Sequence, residues 1–402
     1  MNENARTLDL ARTLLANPSL FTAKPSVLWF LCQYLRKFKI RKVGGHLILH
    51  SHLPPLNSPA YGRFINEHLL RRDAGPSHAQ IGVTNACPQN CSYCYNRERS
   101  GDVMDTRTII NLIRDLKRMG VFWLGLTGGE PLLKKDLPEI IESAGDDCAV
   151  KLFTTGCTLT RERAEELKRA GLYSVSVSLD HWDENVHDRA RGYSGAFQTA
   201  LKAIGIFQDT GGIDVGVSAV LTPAMIRTGG TEQFLSFLKT LQVHEAGLSE
   251  TKPSVPGLWD SAEVITEEER RLLVTLQDRY NRSGEMTVNY LAHFEGKEHF
   301  GCCAGHKMVY VDAFGSVSPC VFTPMSYGNV RGRPIGEMVR EMRSHFPTEG
   351  RCFINNNYAL LQKHHRGNGP LGLRETREMM SGVRFAPYAK FFELHYGRGQ
   401  AR

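Results

Sequence analysis

The spacing of apolar residues divides the chain into three stretches. Up to about residue 78 the period is helical. Leu8, Leu10, Ala11, Leu14 and Leu15 form one apolar stripe, and Val27, Leu28, Phe30, Leu31 and Leu35 form a second. A basic run follows at Arg36, Lys37, Lys39, Arg41 and Lys42. It reads either as a solvated helix face or as a docking face for an acidic partner or anionic lipid. The Pro-rich segment from His50 to Pro59 reads as irregular.

From about residue 79 to 250 short apolar runs alternate with amphipathic ones. Strands are expected at 79–83, 121–126, 151–154, 173–178, 215–221 and 243–248. Helices are expected between them, at 105–119, 137–143, 161–170, 196–207 and 232–241, with Gly120 and Gly171 as stops. Repeated β-α units imply a parallel sheet with helical crossovers. Six units fit an α/β fold built as a partial (β/α)6 TIM-like barrel. Thr266-Glu-Glu-Glu269 is a capping box that opens a helix to about Arg282. Beyond it Val309-Tyr-Val311 and Val317 flank Gly315 and predict a small hairpin. The expected organisation is therefore a helical N-terminal extension (1–78), a barrel (79–260), a helical connector (261–295) and a small C-terminal domain with its tail (296–402).

Composition narrows the class. Of 402 residues, 41% are hydrophobic and 23% charged, which argues against disorder, collagen and coiled coil. No apolar run approaches the ~18 residues of a membrane span. The N-terminus carries Glu3 and lacks an apolar signal region, so a cytoplasmic chain is expected. The net charge of +7 favours anionic partners only weakly, and no nucleic-acid partner is expected from it. In a reducing compartment the ten cysteines point to metal or redox chemistry rather than disulfides.

Three of them stand in Cys87-Pro-Gln-Asn-Cys91-Ser-Tyr-Cys94, directly after the first barrel strand. Three thiolates on one tight loop can hold three irons of a cubane cluster and leave the fourth iron open. Zinc is the alternative, but structural zinc closes with four ligands, and no fourth Cys or His lies nearby. The second strand ends in Thr127-Gly128-Gly129-Glu130-Pro131. Glycines there let a ligand approach the backbone, and Glu130 offers an anionic acceptor. The fourth strand ends in Ser176-Val-Ser178-Leu-Asp180, at the rim where barrel residues face an active site. Asp180 either binds substrate or caps its loop. Arg191, in His187-Asp-Arg-Ala-Arg191-Gly192, can pair bidentately with a carboxylate; the bland reading is a surface pair with Asp188.

In this order the motifs resemble the radical S-adenosylmethionine (SAM) superfamily. Its cluster motif is C-x3-C-x-aromatic-C, with Tyr93 as the aromatic. The resemblance implies a SAM-binding 4Fe-4S cluster on Cys87, Cys91 and Cys94. It implies SAM contacts from Tyr93, Gly128, Gly129, Glu130, Ser178 and Arg191, with the SAM amino group received at the Gly-Gly-Glu loop. Thr154-Thr-Gly156 stands where the family often has Thr-Asn-Gly, so Thr155 leaves a ligand role there open.

Cys302-Cys303-Ala-Gly305, then Gly315-Ser-Val-Ser-Pro-Cys320, resembles the opening of SPASM or twitch modules, C-x(9–15)-G-x4-C. These modules carry auxiliary iron–sulfur clusters. No cysteine follows Cys352, which favours the shorter twitch form with one auxiliary cluster on Cys302, Cys320 and Cys352. Either Cys303 or His306 completes that site, or one iron stays open. Cys32, Cys148 and Cys157 are expected to be small apolar fillers.

The resemblance spans residues 79 to 352. It implies an oxidoreductase of maturase type that cleaves SAM reductively to a 5′-deoxyadenosyl radical. The radical abstracts hydrogen from an unactivated C–H bond, oxidising or cross-linking a peptide or protein. Alternatives are a lipid, tetrapyrrole or other small-metabolite substrate, and a non-catalytic iron–sulfur electron carrier or scaffold. The partners implied are the substrate, an electron donor such as flavodoxin or ferredoxin, and peripheral membrane contact through the basic N-terminal helices.

Overall fold

The computed structural model describes residues 3–4, 7–71, 75–291, 296–367 and 369–397. The side chains of Leu8, Leu10 and Ala11, part of the first expected stripe, lie outside the described residues.

The N-terminal extension is mixed rather than purely helical. Strand β1 (Glu3–Asn4) precedes helices α1 (Thr7–Ala16) and α2 (Pro25–Leu35), followed by β2 (Arg41–Val43) and β3 (His46–Ile48). The three strands form an antiparallel sheet in the order β1-β2-β3. Gly44 and Gly45 turn β2 into β3 with φ of 58° and 86°, a region glycine enters without a Cβ clash.

The remaining strands form one nine-stranded sheet. They are β4 (His78–Thr84), β5 (Trp123–Gly128), β6 (Ala149–Thr154), β7 (Leu172–Ser178), β8 (Asp214–Leu221), β9 (Glu245–Glu250), β10 (Thr287–Tyr290), β11 (Met308–Val311) and β12 (Val317–Ser318). The order is β10-β9-β8-β7-β6-β5-β4-β11-β12, and all pairings but the last are parallel. Helices return the chain between β4 and β9, giving the partial TIM-like barrel that the alternation predicts. The helix 106–118 shows why. Asp105 caps it by accepting from Thr108 N (2.7 Å), and Ile109, Leu112, Ile113 and Leu116 bury one face against the sheet.

Two short strands were not expected in this sheet. The capping-box helix runs over 267–283, as its sequence predicts, but the chain then enters β10, which pairs with β9 as a further parallel strand. The first strand of the predicted hairpin, β11, lies parallel to β4 on the opposite edge. The sheet therefore runs through the segment 261–295 and into the C-terminal region. Each of these strands has only four residues, too few to display a period.

The basic run is solvated only in part: Arg36 and Lys39 are exposed, but Arg41 is not. Arg41 enters β2 and is buried at the N-terminal end of the barrel. Its guanidinium donates to both Asp214 carboxylate oxygens (2.9 and 3.0 Å), to Glu245 Oε2 (3.0 Å) and to Thr287 Oγ1 (2.7 Å). The irregular segment that follows closes this end. Ser51 N and Oγ donate to Glu245 (2.8 and 2.6 Å), and Ser51 O accepts from Trp123 Nε1 (2.9 Å) and Tyr173 OH (2.6 Å). The Lys151 ammonium donates to Ser51 Oγ. Every barrel residue here lies among the first three of its strand, so the extension plugs the floor opposite the rim.

Cys148 is a buried filler, as expected, and Cys157 is half-buried. Cys32 is exposed, because it falls on the outer face of α2, one turn after exposed Trp29. Among the described residues no helix is long and apolar enough to cross a membrane.

Candidate functional site

The Cys87–Cys94 loop leaves β4 at the barrel rim. The end of β5 lies directly on its start: Gly129 N donates to Thr84 O and Glu130 N to Ala86 O, both at 2.7 Å. A Cβ on Gly128 would stand 2.2 Å from Thr84 O, and one on Gly129 2.3 Å from Ala86 O. The two glycines are thus required by the approach of the cysteine loop itself.

Glu130 is fully buried. Its carboxylate accepts from Leu132 N (2.9 Å), Thr154 Oγ1 (2.6 Å), Thr155 N (2.6 Å) and the Thr155 hydroxyl. Burial pushes its carboxyl above the ordinary value, against the pull of these donors. Thr155, left open from sequence, is therefore a partner of Glu130, and together they tie the ends of β5 and β6. Ser178 is half-buried at the last position of β7.

Asp180 neither caps its loop nor stands open to substrate; it is a buried hub. Oδ1 accepts from Val220 N (2.9 Å), and Oδ2 faces Arg191 Nε (2.8 Å) and accepts from the Tyr93 hydroxyl. The Arg191 guanidinium also lies over the Tyr93 ring, 5.7 Å from its centroid. The surface pair of Arg191 with Asp188 does not form. Asp188 instead accepts from Gly195 N (2.6 Å) and Phe197 N (2.9 Å), fixing the start of the next helix. Arg191 O accepts from Asn90 N (2.9 Å), inside the cysteine loop. Burial works against the Arg191 charge, but Asp180, Tyr93 and Cys91 outweigh it and make the guanidinium more basic.

Burial pushes the Cys87 thiol up to about 11 and raises Cys91 as well, with Arg191 pulling Cys91 back. Iron binding must expel these protons. The donor set fits a cluster: three thiols within eight residues and an adjacent guanidinium, at the barrel rim. Among the described residues no three Cys, His, Asp or Glu side chains converge on the position of one ion. In a cubane each thiolate has its own iron.

Backbone bonds bring the three C-terminal cysteine segments side by side. Cys302 N donates to Glu349 O (2.8 Å), three residues before Cys352, and Gly305 N donates to Pro319 O (2.9 Å), next to Cys320. Cys302 and Cys352 are buried and Cys320 is half-buried. His306 is buried, and its Nδ1 has no hydrogen-bond partner among the described residues. Cys303 Sγ faces Gly301 O at 3.7 Å. Three cysteines on adjoining segments are the donor set an auxiliary cluster takes, with Cys303 and His306 beside them as the candidates for a fourth ligand.

The sequence reading missed how the two cysteine regions are joined. Lys252 Nζ lies 3.1 Å from Cys352 Sγ and 3.0 Å from Glu250 Oε1; that carboxylate also accepts from Asn355 Nδ2 (2.6 Å) and from the Tyr290 hydroxyl. On the other edge Arg99 pairs with Asp312 (3.0 Å), and Tyr310 OH donates to Asn96 Oδ1 (2.8 Å). The only local signal was Glu250-Thr-Lys252, charges at the rim end of an apolar strand.

A partial parallel barrel with a three-cysteine loop after its first strand defines a radical SAM domain. Residues 81–238, which hold the cysteine loop and most of the barrel, match the Radical SAM superfamily. Mycofactocin maturase MftC of Mycolicibacterium smegmatis is 28% identical over 254 residues, 60% of this chain and 63% of the relative. The chain thus spans under two thirds of that relative's length. AdoMet-dependent heme synthase of Methanosarcina barkeri is 26% identical over 304 residues, 68% of this chain and 86% of the relative. The solved structure of Streptococcus suis SuiB bound to precursor peptide SuiA shares the fold, with a TM-score of 0.54 and 14% identity over 71% of this chain and 70% of that chain.

Proposed function

We propose that this chain is a radical SAM enzyme of maturase type acting on a peptide or protein. The observation that carries the reading is the Cys87–Cys94 loop, laid at the barrel rim on Gly128-Gly129 and flanked by the Arg191–Asp180 pair. A 4Fe-4S cluster held by Cys87, Cys91 and Cys94 would supply reductive SAM cleavage and a hydrogen-abstracting radical. The protein's own part is positional. Glu130 holds the β5 and β6 loops and offers the acceptor for the SAM amino group. Arg191 carries a buried positive charge toward Cys91 and the SAM carboxylate, and Tyr93 and Asp180 keep that charge in place. Ser178 and the two glycines complete the SAM contacts. Cys302, Cys320 and Cys352 would hold the auxiliary cluster, which supplies an exit for the substrate's electron or an iron that grips the substrate.

The peptide class is favoured by the maturase relative and by a fold shared with a structure that holds a precursor peptide. The second reading, a tetrapyrrole or other small metabolite, is favoured by the longer coverage of the heme synthase. The remaining partners we infer are an electron donor such as flavodoxin or ferredoxin and a membrane surface met by the basic N-terminal extension.

The test is anaerobic reconstitution with iron and sulfide, followed by SAM and dithionite. We expect 5′-deoxyadenosine and methionine; their absence would leave a carrier or scaffold. Mass differences among peptides and small metabolites from cells with and without the protein then separate the two substrate classes.

A further inference from the structure

The chain's charge is concentrated at one end. Residues 10–66 hold eight Arg and Lys and not one Asp or Glu, more than the whole net charge of +7. Arg41 and Arg63 are spent internally, on Asp214 with Glu245 and on Glu67 with Asp147. Arg12 and Arg36 are exposed; Lys24 and Lys39 are exposed as well but donate to His395 O (3.0 Å) and Ser283 O (3.1 Å). Arg12 and Lys42 line one surface groove of about 590 Å³ between α1 and the β2–β3 hairpin.

The same segment exposes large apolar side chains. Leu15 is 79% exposed, Phe21 68% and Trp29 64%, on α1, the 3-10 turn Pro18–Thr22 and α2 in succession. On α2 the exposed residues Trp29, Cys32, Gln33 and Arg36 fall at i, i+3, i+4 and i+7, so they share one face. The opposite face is already occupied: Val27 and Tyr34 are buried, and Phe30 packs against Phe300 and Phe391. Helix α2 is therefore anchored on the fold and presents a separate face ending in a tryptophan and an arginine.

We propose that this face docks on an anionic membrane surface, with Trp29, Phe21 and Leu15 entering the headgroup layer and Arg12 and Arg36 meeting lipid phosphates. Charge complementarity selects the occupant, because 57 consecutive residues offer no acid to repel an anionic leaflet. The apolar groups select a bilayer over a purely acidic polymer. Indole is favoured at the interface between headgroups and acyl chains, and long basic side chains extend from apolar surface to phosphate. This deepens the membrane contact named above and rests on that part of the reading alone. Radical chemistry and docking are separable.

The experiment is flotation of the full chain with vesicles of phosphatidylcholine alone or mixed with phosphatidylglycerol. Binding is expected to the mixed vesicles only and to weaken with salt. Arg12→Glu with Arg36→Glu should lower partitioning about tenfold or more, since each cation near such a surface contributes appreciably. Trp29→Ala with Phe21→Ala should lower it at every salt concentration. All these side chains are exposed, so both variants should keep the wild-type melting temperature and SAM cleavage. Equal or absent binding to the two vesicle types would overturn the proposal. So would binding to polyglutamate or DNA that these variants abolish while vesicles are ignored, or self-association lost in Trp29→Ala.

Discussion

Arg191 Nε lies 2.8 Å from Asp180 Oδ2, in a buried pair that also engages the Tyr93 hydroxyl and flanks Cys91. One ion pair thus connects the rim of β7 to the cysteine loop. Asp180→Asn would leave the guanidinium buried without its counter-charge, which costs about 3–5 kcal/mol. Tyr93→Phe removes one hydrogen bond, about 1 kcal/mol. Urea unfolding of the two variants should show that ranking, and equal effects would mean that Arg191 finds another anion.

Joint replacement of Cys87, Cys91 and Cys94 by Ala should remove about four irons per chain, the content of one cubane, and abolish SAM cleavage. Iron analysis and 5′-deoxyadenosine assay check both. Cleavage persisting in this variant would sink the radical SAM reading.

Glu130→Gln places an amide where four donors converge, and a hydrogen bond to a charged group is worth about 1.5–3 kcal/mol. Stability should fall by that order. SAM affinity should fall about tenfold to a hundredfold if the carboxylate also receives the SAM amino group. Calorimetry separates the roles, because a destabilised variant with wild-type SAM affinity would confine Glu130 to holding Thr154 and Thr155.

The auxiliary site should be separable from the first cluster. Cys302→Ala with Cys320→Ala should lose about half the iron and still cleave SAM, while substrate turnover vanishes. Electron paramagnetic resonance of the reduced wild type should show two cluster signals, one of which responds to SAM. A single, fully SAM-responsive signal would make Cys302, Cys320 and Cys352 buried thiols and the C-terminal region a lid.

The floor of the barrel should be pH-sensitive. Burial lowers the Lys151 ammonium from 10.5 to about 8, although Glu245 pulls it upward. Between these values the unfolded chain holds the proton and the folded chain does not. Stability from this group therefore rises with pH across that window, by up to about 1.4 kcal/mol per pH unit. The urea midpoint of wild type minus that of Lys151→Met should climb from pH 8 to 10. A flat difference would mean that Glu245 and Ser51 hold the ammonium charged throughout.

What the sequence determined by itself is whatever its chemistry keeps local. Alternating runs such as Tyr173–Ser178, caps such as Asp105 and Thr266, and three cysteines within eight residues each act through neighbours in the chain, so the barrel and its rim loop were legible. Tertiary structure decided where single side chains found distant partners. Arg41 meets Asp214 and Glu245 across 173 and 204 residues, and Lys252 meets Cys352 across 100. Arg41 looks as solvated as the rest of its basic run until the acids that neutralise it are known, and those acids open strands β8 and β9. Likewise β10 is a strand, and the predicted β11–β12 hairpin joins β4, because the edges of the sheet offer unpaired backbone groups that must be satisfied. The four residues of β10 carry too little pattern to announce a strand, and the hairpin signal at Val309–Val317 does not say which edge it meets; only the folded barrel supplies that edge.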